Sequence, residues 1–317
     1  MKILANDGIS QSGAKALKDA GFDLISVKVA QDQLEDYINK NNIEGILVRS
    51  NTKIRKALID ACTNLKFIGR GGVGMDNIDV EYARSKGLHV FNTPAASAAS
   101  VAELTFAHLF SGVRQLYNAN RNMPLEGDTM FSELKKAYSK GYELRGKTLG
   151  IIGFGRIGRE VAKLALGVGM KVIASDKEVG EAIIELEFYN HQSIKIPIKT
   201  EPVEDLIKHS DYITLHVPAQ SKALIGKKEF DSMKPGVGII NTARGGVIDE
   251  EALMEAIESG KVAFAGLDTF KDEPKPAIKL LMNENVSLSP HIGAATIEAQ
   301  ERIGQELASE IISKFKP

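Results

Sequence analysis

Residues 149–161, LGIIGFGRIGREV, run an apolar strand-like segment into three glycines spaced G-x-G-x-x-G and on into a helical pattern. No other feature of the chain restricts its fold as tightly. In such a strand–turn–helix the first glycine, Gly153, permits a tight turn. The second, Gly155, lets backbone approach a pyrophosphate, and the third, Gly158, allows close packing of helix on strand. Amides at the start of the helix then point at the phosphates. Glycine-rich turns also occur merely to reverse a chain, but here the next strand, KVIAS, ends at Asp176, roughly 20 residues on, where an acidic side chain accepts from an adenosine ribose. A carboxylate there repels a 2′-phosphate, so the spacing predicts NAD rather than NADP.

Around that segment short β-branched runs alternate with helical patterns, the arrangement that builds parallel sheets covered by helices. KILAN, FDLISVKV, GILVRS, FIGRGG and LHVFN read as the strands of one sheet. TLGIIGFG, KVIASD, YITLHV, VGIINTA, VAFAGLD and VSLSP read as the six strands of another. The fold class is α/β, with two doubly wound parallel-sheet domains: a Rossmann-type cofactor domain and a smaller, flavodoxin-like substrate domain. A chain of 317 residues also exceeds the ~250–300 residues at which a single core stops growing. A helical stretch over residues 96–118 places a hinge just before it, and an amphipathic helix over 296–315 crosses back to the first domain. The cofactor domain is therefore expected at 96–290 and the discontinuous substrate domain at 1–95 with 291–317. Residues 179–200 fit neither pattern and read as an extra hairpin or an irregular excursion.

Charge and composition narrow the partners. With 40 Lys and Arg against 41 Asp and Glu the chain has no broad field to hold nucleic acid or an anionic membrane. No apolar run approaches the ~18 residues of a membrane span, and the first residues lack the pattern of a signal peptide. One cysteine, Cys62, excludes an intrachain disulfide and points to a cytoplasmic setting. No paired His or Cys spacing indicates a metal site.

Three consecutive strand ends of the second sheet carry chemistry. Arg244 follows GIINTA, Glu273 follows VAFAGLDTF, and His291 follows VSLSP. A guanidinium, a carboxylate and an imidazole suit hydride chemistry on a 2-oxo or 2-hydroxy acid. As hydride reaches the carbonyl carbon the oxygen becomes an alkoxide, and a positioned imidazolium delivers the proton. Glu273 would hold the ring and favour its charged form, and Arg244 would grip the substrate carboxylate with its two-pronged donors. The bland alternative for Arg244 is a helix-capping surface arginine. Among the other histidines, His216 ends a cofactor-domain strand and is a candidate contact on the nicotinamide side. His89, His108, His191 and His209 read as structural or surface residues.

The blocks LVRS, FIGRGGVGMDNID, VFNTPAASAASVAELTFAHL, LRGKTLGIIGFGRIGREVA, SDYITLHVP, NTARGGVIDEEAL, AGLDTFKDEP and SPHIGAATIEAQERIG together resemble the D-isomer-specific 2-hydroxyacid dehydrogenases. The resemblance implies Arg244, Glu273 and His291 as the catalytic residues, matching their reading from the strand ends. It implies further cofactor contacts from Arg156, Ile157, Val217, Pro218, Thr242, Ala243, Arg244, Asp268, His291, Gly293 and Ala294, and a homodimer bridged by the long helix near residue 96. A non-enzymatic, NAD-sensing corepressor on the same fold is an alternative from another class.

Within the family the first domain decides the substrate. Arg49 and Ser50 end the strand GILVRS, and Arg70 opens the turn that contains Gly72 and Val73. Two cations with free amides between them suit a phosphate. The favoured reaction is oxidation of D-3-phosphoglycerate to 3-phosphohydroxypyruvate, the first step of phosphorylated serine biosynthesis. Reduction of hydroxypyruvate or glyoxylate is the alternative. The chain stops at Pro317, which leaves no room for the carboxy-terminal regulatory domains that some members carry.

Overall fold

The protein is described by a computed structural model covering residues 1–316. It divides into two compact units: Met1–Ser100 with the chain from Ala294 onward, and Val101–Gly293. These boundaries lie a few residues after those expected at 95/96 and 290/291.

Unit 1 begins as β1 (Lys2–Ala5), α1 (Gln11–Asp19), β2 (Asp23–Ile25), α2 (Leu34–Lys40), β3 (Gly45–Val48), α3 (Lys56–Ala61), β4 (Phe67–Arg70), α4 (Val80–Ser85) and β5 (His89–Asn92). The strands pair in parallel in the order β2-β1-β3-β4-β5, the flavodoxin-like order. Its short runs of Ile, Leu and Val are buried on both faces, as a sheet sandwiched by helices demands. Leu4, Ile46, Val48 and Ile68 face one core, and Ile3, Leu47 and Phe67 the other.

The chain continues through α5 (Ala98–Val113), α6 (Leu116–Glu126) and α7 (Phe131–Ala137). A single helix over 96–118 was expected, and the structure breaks it: Gln115 takes a left-handed φ of 50°, and its amide turns to the Gly112 carbonyl at 3.1 Å, which ends the regular ladder. The sheet of unit 2 follows: β6 (Thr148–Ile152), α8 (Arg156–Gly167), β7 (Lys171–Ser175), β8 (Glu181–Glu187), β9 (Ser193–Lys199), α9 (Val203–His209), β10 (Tyr212–Leu215), α10 (Lys227–Ser232), β11 (Val237–Asn241), α11 (Glu250–Glu258), β12 (Val262–Leu267), α12 (Ile278–Leu281) and β13 (Val286–Leu288). Six of these strands form a parallel sheet ordered β13-β12-β11-β10-β6-β7. The order reverses between β6 and β10, the place where open α/β sheets bind ligands at the carboxyl ends of their strands.

Residues 181–199 form the antiparallel hairpin β8–β9, the first of the two forms expected for that stretch. Ala182, Ile184 and Ile198 join the core that also holds Val161 and Ala165 of α8, while Ile183 faces solvent. The last helix, α13 (Ile297–Phe315), belongs to unit 1 and is started by Thr296, whose side chain accepts from the Ala299 amide. It packs on α1 where two glycines meet: a Cβ on Gly13 would lie 2.5 Å from the Gly304 carbonyl oxygen. Among the described residues no helix is long and apolar enough to cross a membrane.

Candidate active site

The glycine-rich turn sits between β6 and α8, at the point where the strand order reverses. Gly153 has φ 95°, and a Cβ there would lie 2.4 Å from the carbonyl oxygen of His216, just after β10. A Cβ on Gly158 would lie 2.1 Å from the Gly153 carbonyl, so only glycine lets α8 approach the turn this closely. Gly155 is different: it is exposed and nothing stands within 4 Å of its absent Cβ. That open space, capped by the unbonded amides of the first turn of α8 with Arg156 and Ile157, fits a pyrophosphate.

Asp176 directly follows β7, where the sequence reading expects a ribose partner. Its Oδ2 accepts from the Phe154 amide at 2.6 Å, and its Oδ1 from Glu178 and Val179 at 2.9 and 3.1 Å. Partial burial alone would raise its pKa, but these amides outweigh it and hold the carboxyl below the usual value. A carboxylate has about four acceptor positions, so three amides leave room for a ribose hydroxyl. Across the reversal point stand His216, the half-buried Val217 and the exposed Pro218. The Nε2 of His216 contacts Thr214 Oγ1 at 3.0 Å, while its Nδ1 is enclosed with no protein partner. Burial drives its pKa down to about 3, which makes it a neutral polar contact rather than a proton donor.

The neighbouring strands β11, β12 and β13 deliver the remaining groups at their carboxyl ends. After β11, buried Thr242 and Ala243 precede Arg244, whose Nη1 donates to the Ala243 carbonyl at 2.7 Å. Asn241 fixes this turn from below, donating to the Arg244 carbonyl and accepting from the Ala243 amide. Next, Gly245 backs directly onto the loop after β12, where a Cβ would meet the Phe270 carbonyl oxygen at 1.8 Å. The Phe270 amide in turn donates to Glu273 Oε1 at 3.0 Å, and Glu273 Oε2 lies 2.8 Å from His291 Nδ1. Arginine turn, glutamate loop and histidine turn are thus linked by successive contacts. Because the carboxylate accepts from Nδ1–H, the nitrogen of His291 left for substrate is Nε2.

His291 itself has φ 54°, a left-handed conformation uncommon for a residue with a Cβ. Asp268, at the end of β12 and only 1 % exposed, holds the turn in place: it accepts from the amides of Ile292 at 2.8 Å and Gly293 at 2.9 Å. Ala294 follows as the first residue of the second segment of unit 1.

In unit 1, Arg49 and Ser50 follow β3 and Arg70 ends β4, on adjacent strands. Asp7 anchors the first of these turns, accepting from the Arg49 amide at 2.7 Å and from Lys28 Nζ at 2.6 Å. Among the described residues the Arg49 guanidinium has no hydrogen-bond or ionic partner. The expectation of free amides in the glycine turn needs correction at two positions, Gly71 and Gly72. The Gly71 amide donates to the Val48 carbonyl and the Gly72 amide to Thr93 Oγ1 at 2.7 Å, because the turn is stitched to β3 and to the residue after β5. The Arg70 guanidinium folds over Gly72, where a Cβ would lie 1.6 Å from its Nη1, while half-buried Val73 follows. Sequence reasoning also passed over the polar contacts of His108, whose partners lie 179 and 181 residues further on and leave no local signal.

Comparison with known proteins gives the same picture. A family model described as D-isomer specific 2-hydroxyacid dehydrogenase, NAD binding domain, matches residues 106–293. The hydroxypyruvate reductase of Thermotoga maritima is 42% identical over 99% of this chain and 98% of its own length. The D-3-phosphoglycerate dehydrogenase of Archaeoglobus fulgidus is 40% identical over 100% of this chain, which spans 58% of that protein. Among solved structures, the NAD+-bound 3-phosphoglycerate dehydrogenase of Entamoeba histolytica superposes with a TM-score of 0.77 at 28% identity, over 99% of this chain and 95% of that one. With its G-x-G-x-x-G turn, the aspartate that follows β7 and its linked Arg244, Glu273 and His291, the chain belongs to the NAD-dependent D-isomer-specific 2-hydroxyacid dehydrogenases.

Proposed function

We propose that the protein oxidises D-3-phosphoglycerate to 3-phosphohydroxypyruvate, the entry reaction of phosphorylated serine biosynthesis, or runs that reaction in reverse. Bound NAD supplies the acceptor for the hydride that leaves C2. His291 Nε2 takes the hydroxyl proton in oxidation and returns it in reduction, while Glu273 keeps Nδ1 engaged so that the ring cannot turn. Arg244 binds the substrate carboxylate. The observation that carries the choice of substrate is the Arg49 guanidinium, which has no hydrogen-bond or ionic partner among the described residues and lies beside Ser50, with Arg70 on the next strand. A cation held ready in this way suits a phosphate, which an arginine meets with paired donors.

Reduction of hydroxypyruvate or glyoxylate is the second reading, favoured by the Thermotoga maritima relative that matches end to end. Comparing kcat/KM for phosphohydroxypyruvate, hydroxypyruvate and glyoxylate by NADH absorbance separates the two. Charge-assisted hydrogen bonds of about 1.5–3 kcal/mol should give the phosphorylated acid at least a ~10-fold preference. Arg49→Ala should erase most of that preference and spare hydroxypyruvate turnover. Equal rates on the first two acids would transfer the assignment to the second reading.

A homodimer completes the proposal. Phe110, Leu116, Leu125 and Phe131 of α5 to α7 are large apolar side chains left exposed, and such a concentration suits a subunit interface. A single cysteine, buried at the end of α3 with its thiol pushed up to about 11 by burial and by Glu35, suits a cytoplasmic enzyme.

A further inference from the structure

Two of the buried polar side chains of α5, Thr105 and His108, lie one turn apart, and both reach the strand ends that bear the site. Thr105 Oγ1 donates to the Val101 carbonyl at 2.9 Å. At its 2.9 Å contact with Thr242 Oγ1 the proton must therefore come from Thr242, since a hydroxyl has only one to give.

The same reasoning fixes the state of His108. Its Nδ1 lies 2.9 Å from Ser287 Oγ and its Nε2 2.9 Å from Ser289 Oγ. Ser289 Oγ also lies 2.6 Å from Asp268 Oδ1, and a carboxylate only accepts. The Ser289 proton is spent on Asp268, so the imidazole must be the donor at Ser289, and Nε2 carries its hydrogen. Burial lowers the pKa of His108 despite the nearby Asp268, which keeps the ring neutral. Nδ1 is then the acceptor and Ser287 its donor. Every proton in the row Ser287, His108, Ser289, Asp268 points one way, toward the carboxylate that also receives the amides of Ile292 and Gly293.

We propose that His108 is a positioning residue: as the neutral Nε2–H tautomer it orients Ser289, and through Ser289 and Asp268 it holds the turn that presents His291 to substrate. Its effect on turnover rests on the acid–base role given to His291 above, whereas the direction of the hydrogen-bond row does not.

The test has two arms on the full-length protein. Ring nitrogen-15 NMR at neutral pH, with His108 assigned by its loss in His108→Gln, should show a protonated Nε2 and a bare Nδ1. Ser289→Ala should move the first resonance and Ser287→Ala the second. A protonated Nδ1, or an equal mixture of tautomers, would overturn the proposal. In the kinetic arm His108→Met should lower kcat roughly 10- to 100-fold, the scale of a small misplacement at a reacting group, with little change in KM for the hydroxy acid. His108→Gln, which keeps one donor and one acceptor, should recover most of the rate. If His108→Met does not fold, Ser289→Ala supplies the same measurement, and wild-type kcat in either variant would overturn the proposal. Full activity in His291→Gln would instead strike the reading of His291 itself while the tautomer stands, so the two failures are distinguishable.

Discussion

Arg244 and His291 reach the site by different local means, and their variants should fail differently. Arg244 is held by a turn that Asn241 ties from both sides, so Arg244→Lys keeps the fold and the charge but loses the paired donor geometry. Its kcat/KM should fall about 10²- to 10³-fold, the usual loss for one charge-stabilising donor. His291→Gln should cost about 10²- to 10⁴-fold, as expected for a general acid–base. In both, NAD binding followed by fluorescence titration should stay within a few fold of wild type, because neither change disturbs Gly155 or Asp176. Near-normal turnover in either variant would overturn the roles assigned. At this scale the sequence was most informative where a residue's meaning depends on near neighbours. Glu273 and His291 stand beside prolines at strand ends and could be read directly, whereas the value of His108 depends on serines far along the chain.

Elements repeat that contrast. The parallel strands were plain from sequence because each is a short β-branched run bounded by turn residues. The hairpin β8–β9 was ambiguous for two reasons: Ile183 and Ile184 adjoin, which blurs the period of two, and Pro197 argues against a strand. The structure settles which isoleucine faces inward. Ile184 is 1 % exposed and Ile183 64 %. Ile184→Ala should therefore destabilise the protein by about 2–5 kcal/mol, and Ile183→Ala by no more than about 0.5 kcal/mol, measured as urea midpoints. The reverse ranking would mean that the hairpin packs by its other face. The break between α5 and α6 was missed because the left-handed residue, Gln115, is neither glycine nor proline.

Across the whole molecule, buried imidazoles and tied carboxylates set a two-stage response to acid. His108 and His216 have pKa values lowered from 6.5, the latter to about 3. The unfolded chain binds protons at these rings before the folded one does, so stability is full above about pH 6.5 and declines as pH falls from there toward the folded values. Asp7, Asp176 and Asp211 are lowered from 3.8, so their contribution persists above that value and disappears as pH falls through their lower folded pKa values. Urea midpoints should be level between about pH 7 and 8, decline below about pH 6.5 and drop more steeply below about pH 4. A flat profile down to pH 4.5 would show that the two rings are not held neutral.

The division of the chain also sets an order in time. Val101–Gly293 is one unbroken stretch, whereas Ile3, Leu17 and Phe67 share their core with Ala308 and Ile311 of α13, and Phe67 with Phe315 at 5.0 Å between ring centres. A nascent chain emerging amino end first therefore carries these side chains unsheltered until the whole of the other unit has been made. Of the two units, the one begun earlier closes later, and in the interval its apolar surface is open to misassembly.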